Sequence, residues 1–399
     1  MRKSLSRLWL KSVKRISKAQ QTQGRKLLKS LLPKAAKAVR TTSVRALAVK
    51  RSGSASKSRS RVAAGATSHA MTGLPGLWKM AYFSLAPGQV SSPRRLQYWL
   101  YLPAAAAQGG STDTGASLPL VVMLHGCQQS ATDFAVATRM NQLAERKGFA
   151  VLYPQQSATA DTHRCWHWYK KSTQLGQGDV HRIGMMIEQV QARHGLDPSR
   201  TYVAGLSAGA GLAALVALHY SKVIAAVGLH SGPVVGTSDS AASAFRIMQR
   251  GSGPAHIEAA LSFAKSLPVP VMASGIPAIL IHGRGDAVVR PVNVAQLTQQ
   301  FQILNSASIS GAEPVQRDFP ARASGRSPSH AYKTVTYYAG RKPQLLRCEI
   351  AALGHAWSGG TAQVAFSAPE GPDASLLMWN FFALHRRLPA SSQVEQALQ

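Results

Sequence analysis

Residues 201–220 read TYVAGLSAGAGLAALVALHY. The β-branched and aromatic residues at the start predict a strand, and the alanine- and leucine-rich run after Gly209 predicts a helix. Between them Ser207 lies in the pattern Gly-x-Ser-x-Gly. Glycines at 205 and 209 permit a tight turn in which a serine is pushed out at the carboxyl edge of a sheet, as a nucleophile elbow requires. The alternative is that Ser207 is only a turn residue or a helix N-cap.

Apolar runs typical of buried strands alternate with helical patterns on both sides of this stretch. This alternation predicts an α/β fold with a mostly parallel central sheet and helices on both faces. Two stretches, 232–270 and 306–333, fit the alternation poorly and are expected to leave the sheet, the first as a small cap over the site. The predicted strands are 94–103, 118–126, 149–154, 201–205, 223–231, 276–283, 334–338 and 345–353, and the predicted helices include 133–147, 179–194, 291–304 and 374–387.

Basic residues are concentrated at the N-terminus. The 399-residue chain has 46 Lys and Arg against 16 Asp and Glu, and its first acidic residue is Asp113. Residues 1–70 are predicted to be a basic, partly amphipathic and largely disordered extension, residues 71–390 the folded domain, and residues 391–399 a C-terminal tail. No apolar run is long enough for a membrane span, so no transmembrane segment is expected.

The basic extension suggests possible partners. Leucine, tryptophan and isoleucine recur at helical spacing among the lysines and arginines of residues 1–40. Such a segment could bind an anionic surface, either lipid headgroups or a coated polymer granule. It could equally be a solvated extension. Nucleic acid is not expected, because no aromatic interleaving or nucleic-acid motif accompanies the charge.

A serine nucleophile needs a base and an acid later in the chain. Of the carboxylates that follow Ser207, only Asp286 lies in a short glycine-rich loop after a buried strand. His355 lies in the glycine-flanked loop LGHAWSGG and is a better base candidate than His330 or His385, which lie in an Arg/Ser/Pro-rich stretch and a basic terminal helix. Turn formation by Asp286 and structural hydrogen bonding by His355 are the alternatives.

An oxyanion hole requires two backbone N–H groups aimed at the developing charge. The residue after the nucleophile, Ala208, should supply one. Gly126 follows the first buried strand and lets the backbone turn in closely, so the N–H of Cys127 is predicted to supply the other.

Several uncommon strings occur in the order seen in the esterase family of polyhydroxybutyrate depolymerases, which includes more distant feruloyl and acetyl-xylan esterases. The resemblance covers about residues 75–387. It implies an α/β-hydrolase fold, no metal, no organic cofactor, and a triad of Ser207, Asp286 and His355. The strings are LHGCQQSATDFA, VLYPQQ, CWHWY, DPSRTYVAGLSAGA, GLHSG, LGHAWSGG and GPDAS.

The resemblance implies a serine esterase acting on poly(3-hydroxybutyrate) or short-chain hydroxyalkanoate esters. A feruloyl or acetyl-xylan type of esterase is the alternative, and a granule- or membrane-binding protein on an inactive hydrolase scaffold is the alternative of another class. The family string Cys-Trp-Asn-Trp-Phe reads CWHWY here, which leaves the substrate open. The residues expected to border the substrate cleft are Trp166, Trp168, His230 and Trp357, and core packing is the alternative for Trp166.

Two further expectations follow from the resemblance. Cys127 and Cys165 occur together in the family strings and are expected to lie near each other, so a disulfide is plausible in an oxidising compartment. Many relatives are extracellular, but no apolar segment with a cleavage site follows the initial charges here. A cytoplasmic or granule-associated location is therefore also open.

Overall fold

A ten-stranded β-sheet forms the centre of the fold. In the computed structural model, residues 73–85, 95–107, 117–267, 275–309, 311–322 and 328–387 are described. The predictions for the 1–70 extension and the 391–399 tail lie outside these ranges. The strands are β1 Leu77–Phe83, β2 Leu96–Leu102, β3 Leu120–Leu124, β4 Ala150–Pro154, β5 Thr201–Leu206, β6 Ile224–His230, β7 Ala278–Gly283, β8 Val315–Phe319, β9 Tyr332–Ala339 and β10 Lys342–Ile350, and a separate pair is formed by β11 Trp357–Ser358 and β12 Ser367–Ala368.

The strand order is β1-β2-β4-β3-β5-β6-β7-β10-β9-β8. The six central strands, from β4 to β10, run parallel. Antiparallel strands complete the two edges. This arrangement places the ends of β3, β5, β7 and β10, and the loops that follow them, at one edge of the sheet, where parallel α/β proteins bind their ligands.

Helices cover both faces of the sheet, as predicted. Alternate residues of β3 face opposite sides, with Leu120, Val122 and Leu124 in one core and Val121 and Met123 in the other. Burial on both faces explains why the strand is a continuous apolar run. The helices are α1 Ala104–Ala107, α2 Ala131–Thr138, α3 Met140–Lys147, α4 Lys171–Gln174, α5 Asp179–His194, α6 Ala208–His219, α7 Ala241–Arg250, α8 His256–Ser266, α9 Val292–Leu304 and α10 Ala374–Phe382.

The first core is covered mainly by α5, α6 and α9 and the second by α2, α3 and α10. Within the described ranges, none of these helices has both the length and the apolar character needed to cross a bilayer.

Three of the predicted stretches have a different structure. The helix predicted over 133–147 is two helices, α2 and α3, because Arg139 between them has the left-handed backbone φ of 53°. The stretch 306–333 contributes an edge strand, β8, to the sheet it was expected to leave. The terminal helix ends at Phe382, so His385 follows it.

The predicted cap region contains two helices, α7 and α8. Residues of both helices join the first core. The end of α7 contacts the loop after β7, where Gln249 Nε2 donates to Val288 O at 2.9 Å and Arg290 N–H donates to Met248 O at 2.8 Å. These helices therefore lie beside that loop, and a capping role remains a prediction.

Candidate active site

Ser207 occupies a strained turn between β5 and α6. Its φ of 58° and ψ of −119° lie in a region that non-glycine residues seldom adopt. The Ser207 N–H donates to His230 O at 3.0 Å. The glycines are sterically required, since a Cβ on Gly209 would lie 2.1 Å from Leu124 O and one on Gly205 2.3 Å from the carbonyl carbon of Gly209. The turn thus has the geometry predicted for a nucleophile elbow.

Asp286 and His355 meet above the ends of β7 and β10. Asp286 Oδ2 accepts a hydrogen bond from His355 Nδ1 at 2.7 Å. Its Oδ1 accepts the backbone N–H groups of Val288 and Val289, both at 2.9 Å. Both side chains are buried, with 3% of Asp286 and 9% of His355 exposed. A carboxylate can only accept, so Nδ1 of His355 carries the hydrogen and Nε2 of the neutral ring is left to take a proton.

The carboxyl group of Asp286 is held ionised. Burial alone would raise its pKa, but the charge and hydrogen bond of His355, with smaller effects from His282 and the Val289 N–H, hold the pKa below its ordinary value. His282 itself makes a structural contact, with Nε2 donating to Val289 O at 2.8 Å. A charged Asp286 therefore faces His355 at neutral pH.

The loops carrying the acid and the base are joined backbone to backbone. Arg284 N–H donates to Ile350 O at 2.8 Å, and Gly285 N–H donates to Leu353 O at 3.0 Å. A Cβ on Gly283 would lie 2.2 Å from Leu353 O, so the close approach requires glycine there. Adjacent parallel strands thus bring together two residues that are 69 positions apart in the chain.

His230 connects the nucleophile turn to the base loop. Its backbone oxygen accepts the Ser207 N–H, and its ring Nε2 accepts the N–H of Ser358 at 3.2 Å. The ring stacks on Trp357 with centroids 5.1 Å apart. Burial lowers the pKa of His230 to about 3, so the ring stays neutral and can accept this hydrogen bond. This bridging position of His230 was not predicted, although GLHSG at the end of a predicted strand marks it in the sequence.

The loop after β3 lies against the nucleophile turn. A Cβ on Gly126 would lie 3.6 Å from Ser207 Cβ. The N–H groups on either side of Cys127 are used, since Gly126 N–H donates to Gln129 Oε1 at 2.8 Å and Gln128 N–H donates to His163 O at 2.6 Å. The Cys127 N–H donates to no acceptor among the described residues. Ala208 begins α6, where helical N–H groups lack an intrahelical acceptor.

A disulfide joins Cys127 to Cys165, as the proximity of the two family strings suggested. Next to it, the buried ring of His125 accepts the N–H of Gln156 at Nε2, at 3.1 Å, and contacts Gly126 O at 2.8 Å through Nδ1. Burial lowers the pKa of His125 to about 4. The loop after β3 is thus attached both covalently and by hydrogen bonds to the segments that follow β4. Cys348 is a buried free thiol.

The four residues expected to border the substrate cleft are buried. The exposed fraction is 1% for Trp166, 3% for Trp168 and zero for His230 and Trp357. The structure does not bring the three tryptophans into one cluster, because Trp166 and Trp168 belong to the first core and Trp357 to the second. Trp168 packs over Gly211 of α6. Core packing was the alternative for Trp166, and contact of any of the four with substrate remains a prediction.

Within the described part of the chain, no group of three or more His, Cys, Asp or Glu side chains is arranged to hold a metal ion. His355 and Asp286 are joined by a hydrogen bond, and Ser207 lies in the turn between β5 and α6.

The chain is similar to known esterases. The sequence profile of the family described as Esterase PHB depolymerase matches residues 96–317, more than half of the chain. Poly(3-hydroxyalkanoate) depolymerase C of Paucimonas lemoignei is 32% identical over 216 residues, which cover 53% of this chain and 49% of that protein. Acetylxylan esterase A of Emericella nidulans is 25% identical over 247 residues, covering 59% of this chain and 78% of that protein.

The chain spans about half, 49%, of the Paucimonas protein and 35% of a poly(3-hydroxybutyrate) depolymerase of Ralstonia pickettii. Among solved structures, an acetyl xylan esterase from Aspergillus awamori aligns with a TM-score of 0.57 at 18% identity, over 77% of this chain and 99% of that one. This likeness concerns the fold, and the predicted α/β-hydrolase fold is confirmed.

Proposed function

The chain belongs to the esterase family of the polyhydroxybutyrate depolymerases, and from that premise we propose that it hydrolyses carboxylic esters through Ser207, His355 and Asp286. The observation that carries the proposal is the 2.7 Å hydrogen bond between His355 Nδ1 and the buried Asp286 carboxylate. It sets the tautomer that a serine needs in its base.

In the proposed reaction, His355 Nε2 takes the proton of Ser207 as the serine oxygen attacks the ester carbonyl. Asp286 orients the ring and stabilises its positive charge. The N–H groups of Ala208 and Cys127 hold the tetrahedral oxyanion. The alcohol leaves with the proton from His355, and a water molecule activated by the same ring releases the acid from the acyl-enzyme.

Poly(3-hydroxybutyrate) or a short-chain hydroxyalkanoate ester is the proposed substrate. The 32% identity to a protein named poly(3-hydroxyalkanoate) depolymerase C supports this choice. An acetylated or feruloylated polysaccharide is the second candidate, supported by the 78% of Acetylxylan esterase A that aligns with this chain. Residues 1–40, which lie outside the described ranges, are proposed to attach the enzyme to an anionic or granule surface.

The nucleophile is tested with Ser207→Ala, with Ser306→Ala as the control because Ser306 is exposed. Hydrolysis of p-nitrophenyl butyrate should fall by about four to six orders of magnitude in the first variant and stay unchanged in the second. A fluorophosphonate probe should label Ser207 in the wild type. Retention of most activity in Ser207→Ala would refute the assignment.

The substrate is tested on a panel. Release of hydroxy acids from polyester suspensions is compared with release of acetate from acetylated xylan and of ferulate from methyl ferulate. Wild-type protein that turns over none of these esters, but sediments with polyester granules or anionic vesicles only when residues 1–61 are present, would favour a binding protein on an inactive scaffold.

A further inference from the structure

A cavity of about 290 Å³ opens beyond the end of β4. Its lining combines two guanidinium groups with two hydroxyl groups. The lining includes Arg95, Gln156, Ser157, Thr159 and Arg182, together with two apolar residues. The proposed mechanism uses none of them.

The two arginines retain donors for a ligand. Among the described residues, Arg95 has no carboxylate within ion-pair distance. Its guanidinium carbon instead lies 5.6 Å from the ring centroid of Tyr82, a cation–π contact that orients the group without using its N–H donors. Arg182 Nη1 lies 3.7 Å from Asp179 Oδ1, and its side chain is 27% exposed. That distance exceeds a hydrogen bond, so Arg182 is attracted to Asp179 and still has donors to offer.

In each of the two nearby carboxylates, Asp179 and Asp161, one oxygen already accepts hydrogen bonds from the protein. Asp179 Oδ2 accepts hydrogen bonds from Gln156 Nε2 at 3.1 Å and from the His167 N–H at 3.0 Å. His167 Nδ1 lies 3.2 Å from the same oxygen. Asp161 Oδ1 accepts two backbone N–H groups, one of them from Cys165 at 3.1 Å. Asp179 Oδ1 is the oxygen that faces Arg182, so an anion in the cavity would share Arg182 with that oxygen and would meet Arg95 without a competing carboxylate among the described residues.

One residue of the cavity wall, Gln156, also bonds to the segments beside the candidate active site. The Gln156 N–H bonds to the ring of His125, and Gln156 Nε2 donates to Cys165 O at 3.3 Å. In the sheet, β4 is separated from β5 by β3 alone. At about 4.8 Å per strand, the end of β4 lies roughly 10 Å from the end of β5, where Ser207 is placed.

We propose that the cavity lined by Arg95 and Arg182 binds the carboxylate group of an organic acid. Guanidinium groups recognise carboxylates through paired N–H donors, and the Ser157 and Thr159 hydroxyls can add hydrogen bonds. Resting on the proposed function, the ligand is the free acid end of a short hydroxy-acid oligoester whose ester bond reaches Ser207. The enzyme would then favour soluble acid-ended oligomers over neutral esters of the same length.

The test measures binding, so that it does not depend on turnover. The full-length Ser207→Ala protein is titrated by calorimetry, at constant ionic strength, with the ester-linked tetramer of 3-hydroxybutyrate, which is long enough to span the distance to Ser207, and with the methyl ester of that tetramer. The acid is expected to bind at least about tenfold more tightly, since hydrogen bonds to charged groups are the stronger ones. Adding Arg182→Gln or Arg95→Gln should abolish the difference, whereas Arg193→Gln, an exposed change at the far end of α5, should preserve it.

Equal binding of the acid and its methyl ester would overturn the proposal, as would an acid preference that survives both arginine changes. Inorganic phosphate that displaces the acid at equal concentration would overturn the carboxylate assignment. Circular dichroism and thermal unfolding establish that each variant is folded. Should Arg182→Gln not fold, Arg95→Gln decides alone, because Arg95 is exposed immediately before β2. If the wild-type protein hydrolyses no ester but the protein binds the acid selectively, the proposed function is contradicted while the assignment of the cavity still stands.

Discussion

Replacement of Asp286 by asparagine should remove most activity while leaving the shape of the site intact. In the native protein Asp286 Oδ1 accepts two backbone N–H groups and Oδ2 accepts His355 Nδ1. The asparagine side chain has one oxygen, and that oxygen is expected to accept the N–H groups of Val288 and Val289. The amide NH₂ then faces His355 Nδ1, which must become an acceptor. The hydrogen moves to Nε2, and the ring cannot take the proton of Ser207.

The size of the effect follows from the cost of the opposite amide orientation. Turning the amide over would leave both buried backbone N–H groups without an acceptor, at about 1–3 kcal/mol each. The total of about 2–6 kcal/mol corresponds to a population of the productive tautomer reduced by about 30-fold to 10⁴-fold. Loss of the negative charge that stabilises the imidazolium adds to this, so kcat should fall by about three to four orders of magnitude.

The assay is hydrolysis of p-nitrophenyl butyrate, with kcat and KM determined separately and the thermal midpoint recorded for the same samples. The control is Asp318→Asn on the exposed edge strand β8, for which kcat should not change. A fall in kcat with little change in KM is expected, because the tautomer matters for chemistry and not for binding. An Asp286→Asn variant that is folded and keeps more than a tenth of the wild-type kcat would refute the tautomer argument.

Three further results are expected. Gly209→Ala should lower the free energy of unfolding in urea by about 3 kcal/mol or more, because the added methyl would lie 2.1 Å from a backbone oxygen of β3. The control Gly311→Ala should leave it unchanged, because nothing lies within 4 Å of that position. Equal effects of the two changes would contradict the steric argument. Cys165→Ser should lower the free energy of unfolding by about 4 kcal/mol, because it removes a disulfide that closes a loop of 38-residue separation. Dithiothreitol should lower the thermal midpoint of the wild type but not that of the variant. An unchanged wild-type midpoint would count against the disulfide. The pKa of His125 is lowered to about 4 and that of His230 to about 3, so as the pH falls these histidines take up protons in the unfolded chain before they do so in the folded protein. The free energy of unfolding should therefore be highest above about pH 6.5 and decline below it by up to about 1.4 kcal/mol per pH unit for each histidine. A free energy of unfolding that is the same from pH 7 to pH 5 would refute their burial as neutral rings.

Continuous apolar runs made the central strands predictable. The predicted strands 118–126, 149–154 and 223–231 each contain an observed strand, because burial on both faces of a parallel sheet imposes such a run. Edge strands carry no such pattern. All but one residue of β8 is exposed, and its partner is β9, so nothing local distinguishes it from a loop.

Contacts made at a distance account for the other differences. No glycine or proline occurs in residues 133–147, yet the helix is interrupted at Arg139. The guanidinium of Arg139 donates to Gly359 O, which lies more than two hundred residues further along the chain. The sequence likewise does not indicate on which face of a sheet a loop tryptophan packs. The cleft prediction therefore grouped Trp166 with Trp357, which lie in different cores. The Asp286–His355 pair was predictable because each residue follows its own strand, and parallel strands end at the same edge.

The spacing of the candidate catalytic groups along the chain has a consequence for how the protein acquires reactivity. Cys127, Ser207, Asp286 and His355 each follow a different strand, and the last of these strands, β10, ends at Ile350. A polypeptide that has not yet paired β10 with β7 would contain the nucleophile and the acid without the base. Such long-range pairings form slowly. The rate at which fluorophosphonate labelling recovers after dilution from denaturant would therefore report the rate at which β10 pairs with β7. The same probe would then measure folding as well as test the chemistry.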